Sequence, residues 1–134
     1  MKKIFSVGLF VGILSLSLLY GGKAMAITVN IYYTGENGNA RKFAEEMEQS
    51  GTVAAIRAEE GNKRYAYFYP KDDEETVLLI DSWESQEAID KHHATPMMDK
   101  ITELRNKYDL HMKVERYIED TEGVPDKDKN FIRK

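Results

Sequence analysis

Hydrophobic and polar positions alternate with one period and then another along this chain, and each change of period marks an element. Ile27-Thr28-Val29-Asn30-Ile31-Tyr32-Tyr33 alternates apolar and mixed positions and is rich in β-branched and aromatic residues, the pattern of a strand. Gly35-Glu36-Asn37-Gly38-Asn39 ends it with turn chemistry. Ala40, Phe43, Ala44 and Met47 then recur at helical spacing, while Arg41, Lys42, Glu45, Glu46 and Glu48 point away from them. Ser50-Gly51 ends or bends this helix, and Val53 to Ala58 adds a turn or two before Glu60-Gly61-Asn62.

Period two returns from Lys63 to Tyr69, placing Tyr65, Tyr67 and Tyr69 on one face and Arg64, Ala66 and Phe68 on the other. Pro70 and the acidic turn Asp72–Glu75 close this strand, and Thr76 to Trp83 pairs with it as a hairpin. Ser85 suits the N-cap of a short helix through His93, with Glu87 in its first turn. Thr95-Pro96 opens another helix, Pro being favoured at the first helical position, with Met97, Ile101, Leu104 and Tyr108 inward. Leu110 to Ile118 is a fourth strand, followed by a charged tail over 119–134 that reads as loosely held or draped on a partner. The order β-α-β-β-α-β defines a ferredoxin-like α+β domain over residues 27–118. Val77-Leu78-Leu79-Ile80 is apolar at odd and even positions alike, so both faces of the third strand need cover. Two sheets facing one another in a homodimer would supply it, where a monomer would leave a large apolar patch in water.

Upstream, Met1-Lys2-Lys3, an apolar run from Ile4 to Leu19 and the ending Ala24-Met25-Ala26 have the three parts of a secretory signal peptide. The run is shorter than the ~20 residues of a membrane span, which points to export into the cell envelope or medium without a stable membrane span. The competing reading starts translation at Met25 and leaves the protein in the cytoplasm. Cleavage after Ala26 leaves 16 basic against 23 acidic side chains, a net charge of −7, and no basic stripe, which argues against nucleic acid as a partner. Cysteine is absent, so disulfides, thiolate nucleophiles and Cys-based metal sites are excluded.

Candidate chemistry centres on two rings. Ala88, Ile89 and His92 share a helix face, so His92 points inward, whereas adjacent His93 is rotated by roughly 100° toward solvent. An inward imidazole is either a hydrogen-bonded core residue or a base for a phenolic proton near neutral pH. Trp83, the only tryptophan, either plugs the core or offers a flat wall with an indole N–H free for a ligand carbonyl. Tyr65 and Tyr67 are further candidates for lining a pocket, although β-propensity alone explains tyrosines in a strand. Asn30, a lone amide in an apolar strand, faces solvent, a subunit interface or a ligand. No dinucleotide, Walker or nucleophile-elbow motif is present, and the histidines do not form a metal-ligand set.

The order of elements, Glu59-Glu60-Gly61-Asn62 ahead of Tyr65, and Asp81-Ser82-Trp83-Glu84-Ser85 followed by His92 and Thr95-Pro96 resemble the antibiotic biosynthesis monooxygenase family, most of all its small quinol monooxygenases. The resemblance covers residues 27–118. It implies a dimeric α/β barrel in which O2 oxidises quinols or polyketide-type phenols without metal, flavin or haem. On that likeness His92 is the base or hydrogen-bond partner and Trp83 lines the pocket. Leu79 and Ile89 stand where polyketide-tailoring members carry an Asn and a Tyr, so that polar set is not shared. Two other functions fit the same fold: a non-catalytic barrel that binds a small ligand, and a haem-degrading monooxygenase, of whose site only Asn30 has a counterpart here.

Overall fold

Alternating strands assemble into one antiparallel sheet: β1 (Ile27–Thr34), β2 (Asn62–Phe68), β3 (Thr76–Trp83) and β4 (His111–Ile118), in spatial order β2-β3-β1-β4. The computed structural model describes residues 24–134, so the leader expected over 1–26 lies outside the described residues save for its last three positions. Helices α1 (Asn39–Gln49), α2 (Thr52–Arg57), α3 (Gln86–His93) and α4 (Met97–Lys107) follow the expected order, with a single-turn α5 (Asp126–Lys129) in the tail. This is the ferredoxin-like α+β arrangement. Among the described residues no helix is long and apolar enough to cross a membrane.

Strand parity decides what each side chain meets. Ile31 and Tyr33 of β1, Tyr65 of β2, and Val77, Leu79, Asp81 and Trp83 of β3 face the helices and are buried. They pack against Phe43 and Met47 of α1, Ile56 of α2, Ile89 of α3, and Ile101 and Leu104 of α4. Each such apolar side chain contributes about 1.5–3 kcal/mol by leaving water. Thr28, Asn30, Tyr32, Leu78, Ile80 and Ala66 occupy the other sheet face and are only half-buried within one chain. The expectation that β3 is covered on both sides is thus met within the chain on the helix side alone.

Two local devices seat α3. Ser85 Oγ accepts the Ala88 N–H at 3.1 Å, so the helix starts directly after β3. Gly61 has φ +85°, and a Cβ there would stand 2.7 Å from the Ala88 Cβ; only glycine allows α3 to lie this close to the α2–β2 turn. Pro96 is the cap residue of α4 rather than its first helical residue, and Thr95 Oγ1 donates to the His92 carbonyl at 2.7 Å across the α3–α4 turn.

At the far edge β4 is thinly covered, its one side-chain hydrogen bond to a helix among the described residues being Arg116 Nη2 donating to Gln86 Oε1 of α3 at 2.5 Å. Met112, Val114 and Ile118, which share the helix-facing side with Tyr33, Ile31 and Ile27, are 41, 52 and 61 % exposed. The β1–β4 pairing runs one residue further, the Glu119 N–H donating to the Ala26 carbonyl, and the tail beyond is exposed throughout.

Candidate functional site

Period two turns Trp83 inward at the end of β3, and the capped start of α3 brings His92 onto it. The two rings stack with centroids 4.9 Å apart and planes 30° from parallel, and both are almost wholly buried. The juxtaposition expected from the sequence is present, and the two rings are in direct contact with no slot between them. A flat guest between two rings needs about 7 Å, twice the ~3.5 Å contact distance, so these rings pack on each other and not around a ligand. Nor is the indole N–H free: it donates to Asp81 Oδ1 at 2.6 Å. His92 Nδ1 lies 2.6 Å from Glu59 Oε2, and the other Glu59 oxygen is buried without a partner.

Around this stack the helix-facing sheet surface carries further polar groups. Arg105 of α4 donates from Nη2 to the Tyr33 hydroxyl at 2.8 Å and from Nε at 3.2 Å. Tyr65 and Tyr67 meet edge to face at 5.8 Å. Tyr65 sits directly across from Asp81, which sits across from Val29, which sits across from Arg116 of β4. These four side chains therefore form one row that runs from the closed interior to the β4 edge, where Arg116 donates to Gln86 of α3. Along β3, Asp81 is the least enclosed inward side chain at 9 % exposure, against 1 % for both Leu79 and Trp83.

Electrostatics follows burial. Desolvation pushes the Asp81 carboxyl up to about 7, against the indole hydrogen bond that favours its anion, with the Glu59 charge pushing the same way as burial. Burial pulls His92 below its ordinary value despite the Glu59 carboxylate beside it. It also holds the Tyr33 and Tyr65 hydroxyls above theirs, so both are neutral hydrogen-bonding groups.

Asn30 is not part of this cluster. It lies on the opposite sheet face, across from Ile80 and Glu115, with its Oδ1 buried and unpartnered, because its strand position has the parity of Thr28 and Tyr32. Tyr69 likewise falls beyond the end of β2 and is exposed, so the tyrosine row consists of Tyr65 and Tyr67. Clefts among the described residues lie against Tyr67, Phe68 and Tyr69, and between Arg64, Ser82 and Tyr117 on the other face; neither borders Trp83 or His92. Sequence reasoning missed Asp81, Glu59, Arg105 and Tyr33. Strand parity with Trp83 would have found Asp81, and the four-residue step from Ile101 would have found Arg105. Among the described residues no three His, Asp or Glu side chains converge as a metal site.

Fold and site together define an α+β domain whose helix side encloses titratable groups among aromatic walls. The model of the antibiotic biosynthesis monooxygenase family matches residues 26–104, and the chain belongs to that family. Solved structures share the fold. SnoaB, a cofactor-independent oxygenase from Streptomyces nogalater, is 14 % identical, with 73 % of this chain and 96 % of that one covered at TM-score 0.62. A Pseudomonas aeruginosa protein is 20 % identical, covering 75 % and 100 % at 0.64, and one of unknown function from Bacteroides thetaiotaomicron is 19 % identical, covering 71 % and 98 % at 0.63. No curated protein sequence matches the chain.

Proposed function

We propose that this protein is a cofactor-independent monooxygenase that oxidises quinol-like or polyphenolic aromatics with O2. The observation that carries the reading is the enclosed set of proton-handling groups, His92 with Glu59 and Asp81 with Trp83, inside a domain of a monooxygenase family. A quinol supplies the electrons itself: quinol plus O2 gives hydroxyquinone plus water, one oxygen atom entering the ring and the other leaving reduced. The protein then has to exclude water, orient the ring and move protons. With Nδ1–H given to Glu59, the remaining ring nitrogen of His92 is the acceptor for a phenolic proton. The aromatic ring enters from the thinly covered β4 side, over Val29 and past the exposed Arg116–Gln86 hydrogen bond, and not between the stacked rings.

Two further parts of the reading concern where the protein works. The half-buried outer face, with Leu78, Ile80 and an unpartnered Asn30 amide, supports a homodimer joined sheet to sheet. The leader supports export, which N-terminal sequencing of the native protein tests. Sedimentation of wild type and Ile80→Asp tests the dimer, the variant being expected to run as a monomer.

The activity is tested by oxygen uptake of the metal-free mature protein with reduced naphthoquinols and benzoquinols. His92→Ala is expected to slow turnover by roughly 10²–10⁴-fold while leaving the fold intact. Ligand binding with no oxygen uptake by the wild type would refute the enzyme.

A further inference from the structure

We infer that Asp81 is a second proton-handling residue of this site, taking the proton of the substrate's other hydroxyl, with the Trp83 indole N–H holding its carboxylate in place. This rests on the quinol reading above, because a quinol must lose protons from two oxygens and His92 supplies one acceptor.

Geometry leads to Asp81. It is one strand across from Tyr65 and, through Val29, two strands from Arg116, so its carboxyl stands in the row that reaches the thinly covered β4 edge, where Arg116 donates to Gln86 of α3. A ring lying over Val29 would be flanked by Asp81 on the inner side. No Lys, Arg or His neutralises Asp81 within ion-pair distance among the described residues. Its one short hydrogen bond is the 2.6 Å indole contact to Oδ1. A structural carboxylate buried at this depth is normally given a cation or several donors, because desolvating the anion is costly. A single N–H from a side chain locked by stacking orients the group without quenching its basicity.

The groups around it keep it titrating in a useful range. Tyr65 and Tyr67 from β2, Tyr33 from β1, Glu59 from the α2–β2 turn, His92 from α3 and Arg105 from α4 all lie on the same side of the sheet. Glu59 disfavours the Asp81 anion and Arg105 favours it, but Arg105 is committed to the Tyr33 hydroxyl. Burial outweighs both, and a carboxyl that takes up protons near neutrality is matched to a proton transfer near neutral pH. In that transfer the substrate O–H bond breaks, the carboxyl O–H bond forms, and the electron pair stays on the phenolate oxygen.

The pH profile of kcat/KM for quinol oxidation is the test, run on wild type, Asp81→Asn, Trp83→Phe and His92→Ala. Asp81→Asn keeps the shape and an acceptor for the indole. It is expected to lower kcat by about 10²-fold or more and to erase the ascending limb near pH 7, where the rate climbs as Asp81 loses its proton, leaving the ascending limb of His92. Trp83→Phe, which leaves the carboxylate without its donor, is expected to move that limb to higher pH. A ¹³C titration of the aspartate carboxyls gives an independent readout in which one midpoint near 7 disappears in Asp81→Asn. An unchanged rate profile in Asp81→Asn overturns the inference while the quinol reading stands. Absence of quinol turnover in the wild type overturns both.

Discussion

Replacing Asp81 by Asn removes a buried ionisation and keeps an oxygen for the Trp83 indole, so its effect on stability is calculable. In the folded protein the carboxyl titrates at about 7; in the unfolded chain it does so near ~3.9. That gap, at ~1.36 kcal/mol per pH unit, corresponds to about 4 kcal/mol. The sign follows from which state holds the proton. Between the two values the folded protein keeps it and the unfolded chain has released it, so the contribution is whole below pH ~4 and is lost as pH climbs through 7. Asparagine does not titrate. It carries a pH-independent cost of about 1–3 kcal/mol for whatever its amide leaves unpaired. Urea unfolding followed by circular dichroism from pH 4 to 8 is therefore expected to show the variant gaining on the wild type by about 4 kcal/mol over that span. Against a total of roughly 5–15 kcal/mol this is large. Parallel stability curves for the two proteins would refute the reasoning, because they would mean that Asp81 ionises as easily folded as unfolded.

Other perturbations probe the supports of the site. Gly61→Ala puts a Cβ 2.7 Å from that of Ala88 at a positive φ, and is expected to cost about 2–4 kcal/mol by thermal or urea unfolding; Ala88→Gly in the same chain should recover part of it. Arg105→Met leaves the fully buried Tyr33 hydroxyl without its donor, a loss of about 1–3 kcal/mol that Tyr33→Phe should partly restore in a double-mutant cycle. Glu59→Gln removes the charge that favours protonated His92, so the midpoint of the His92 ring in an NMR titration should fall; an unmoved midpoint would mean that the contact does not couple the two groups.

Much of this architecture is written in residue periodicity. The switches between period two and helical spacing locate β1 through β4 and α1 through α4, because amphipathic elements must bury one face. The meeting of Trp83 with His92 was legible for the same reason, Ser85 fixing where α3 starts and two apolar neighbours fixing which way His92 points. What the rings do there was not legible. Whether two inward rings leave a slot or close on each other depends on side-chain torsions and on partners far along the chain. Glu59, 33 positions before His92, orients the imidazole. Asp81 takes the indole N–H that looked available to a ligand. Asn30 was readable in part: its parity with Tyr32 already opposed it to Val29 and Ile31, and only its isolated amide suggested otherwise.

The short, glycine-tightened approach of α3 to the turn before β2 has a consequence for how the protein matures. Glu59, Tyr65, Asp81, Trp83 and His92 all belong to one uninterrupted stretch of backbone, a hairpin followed by a helix. Loops this short are entropically inexpensive to close, so the segment carrying these buried polar groups can assemble as a local unit before β1 threads between β3 and β4. Tyr33 and Arg105 arrive from outside that unit. A nascent chain would hold its buried polar pairs in register early, and the last strands to dock would determine when those pairs are shut off from water.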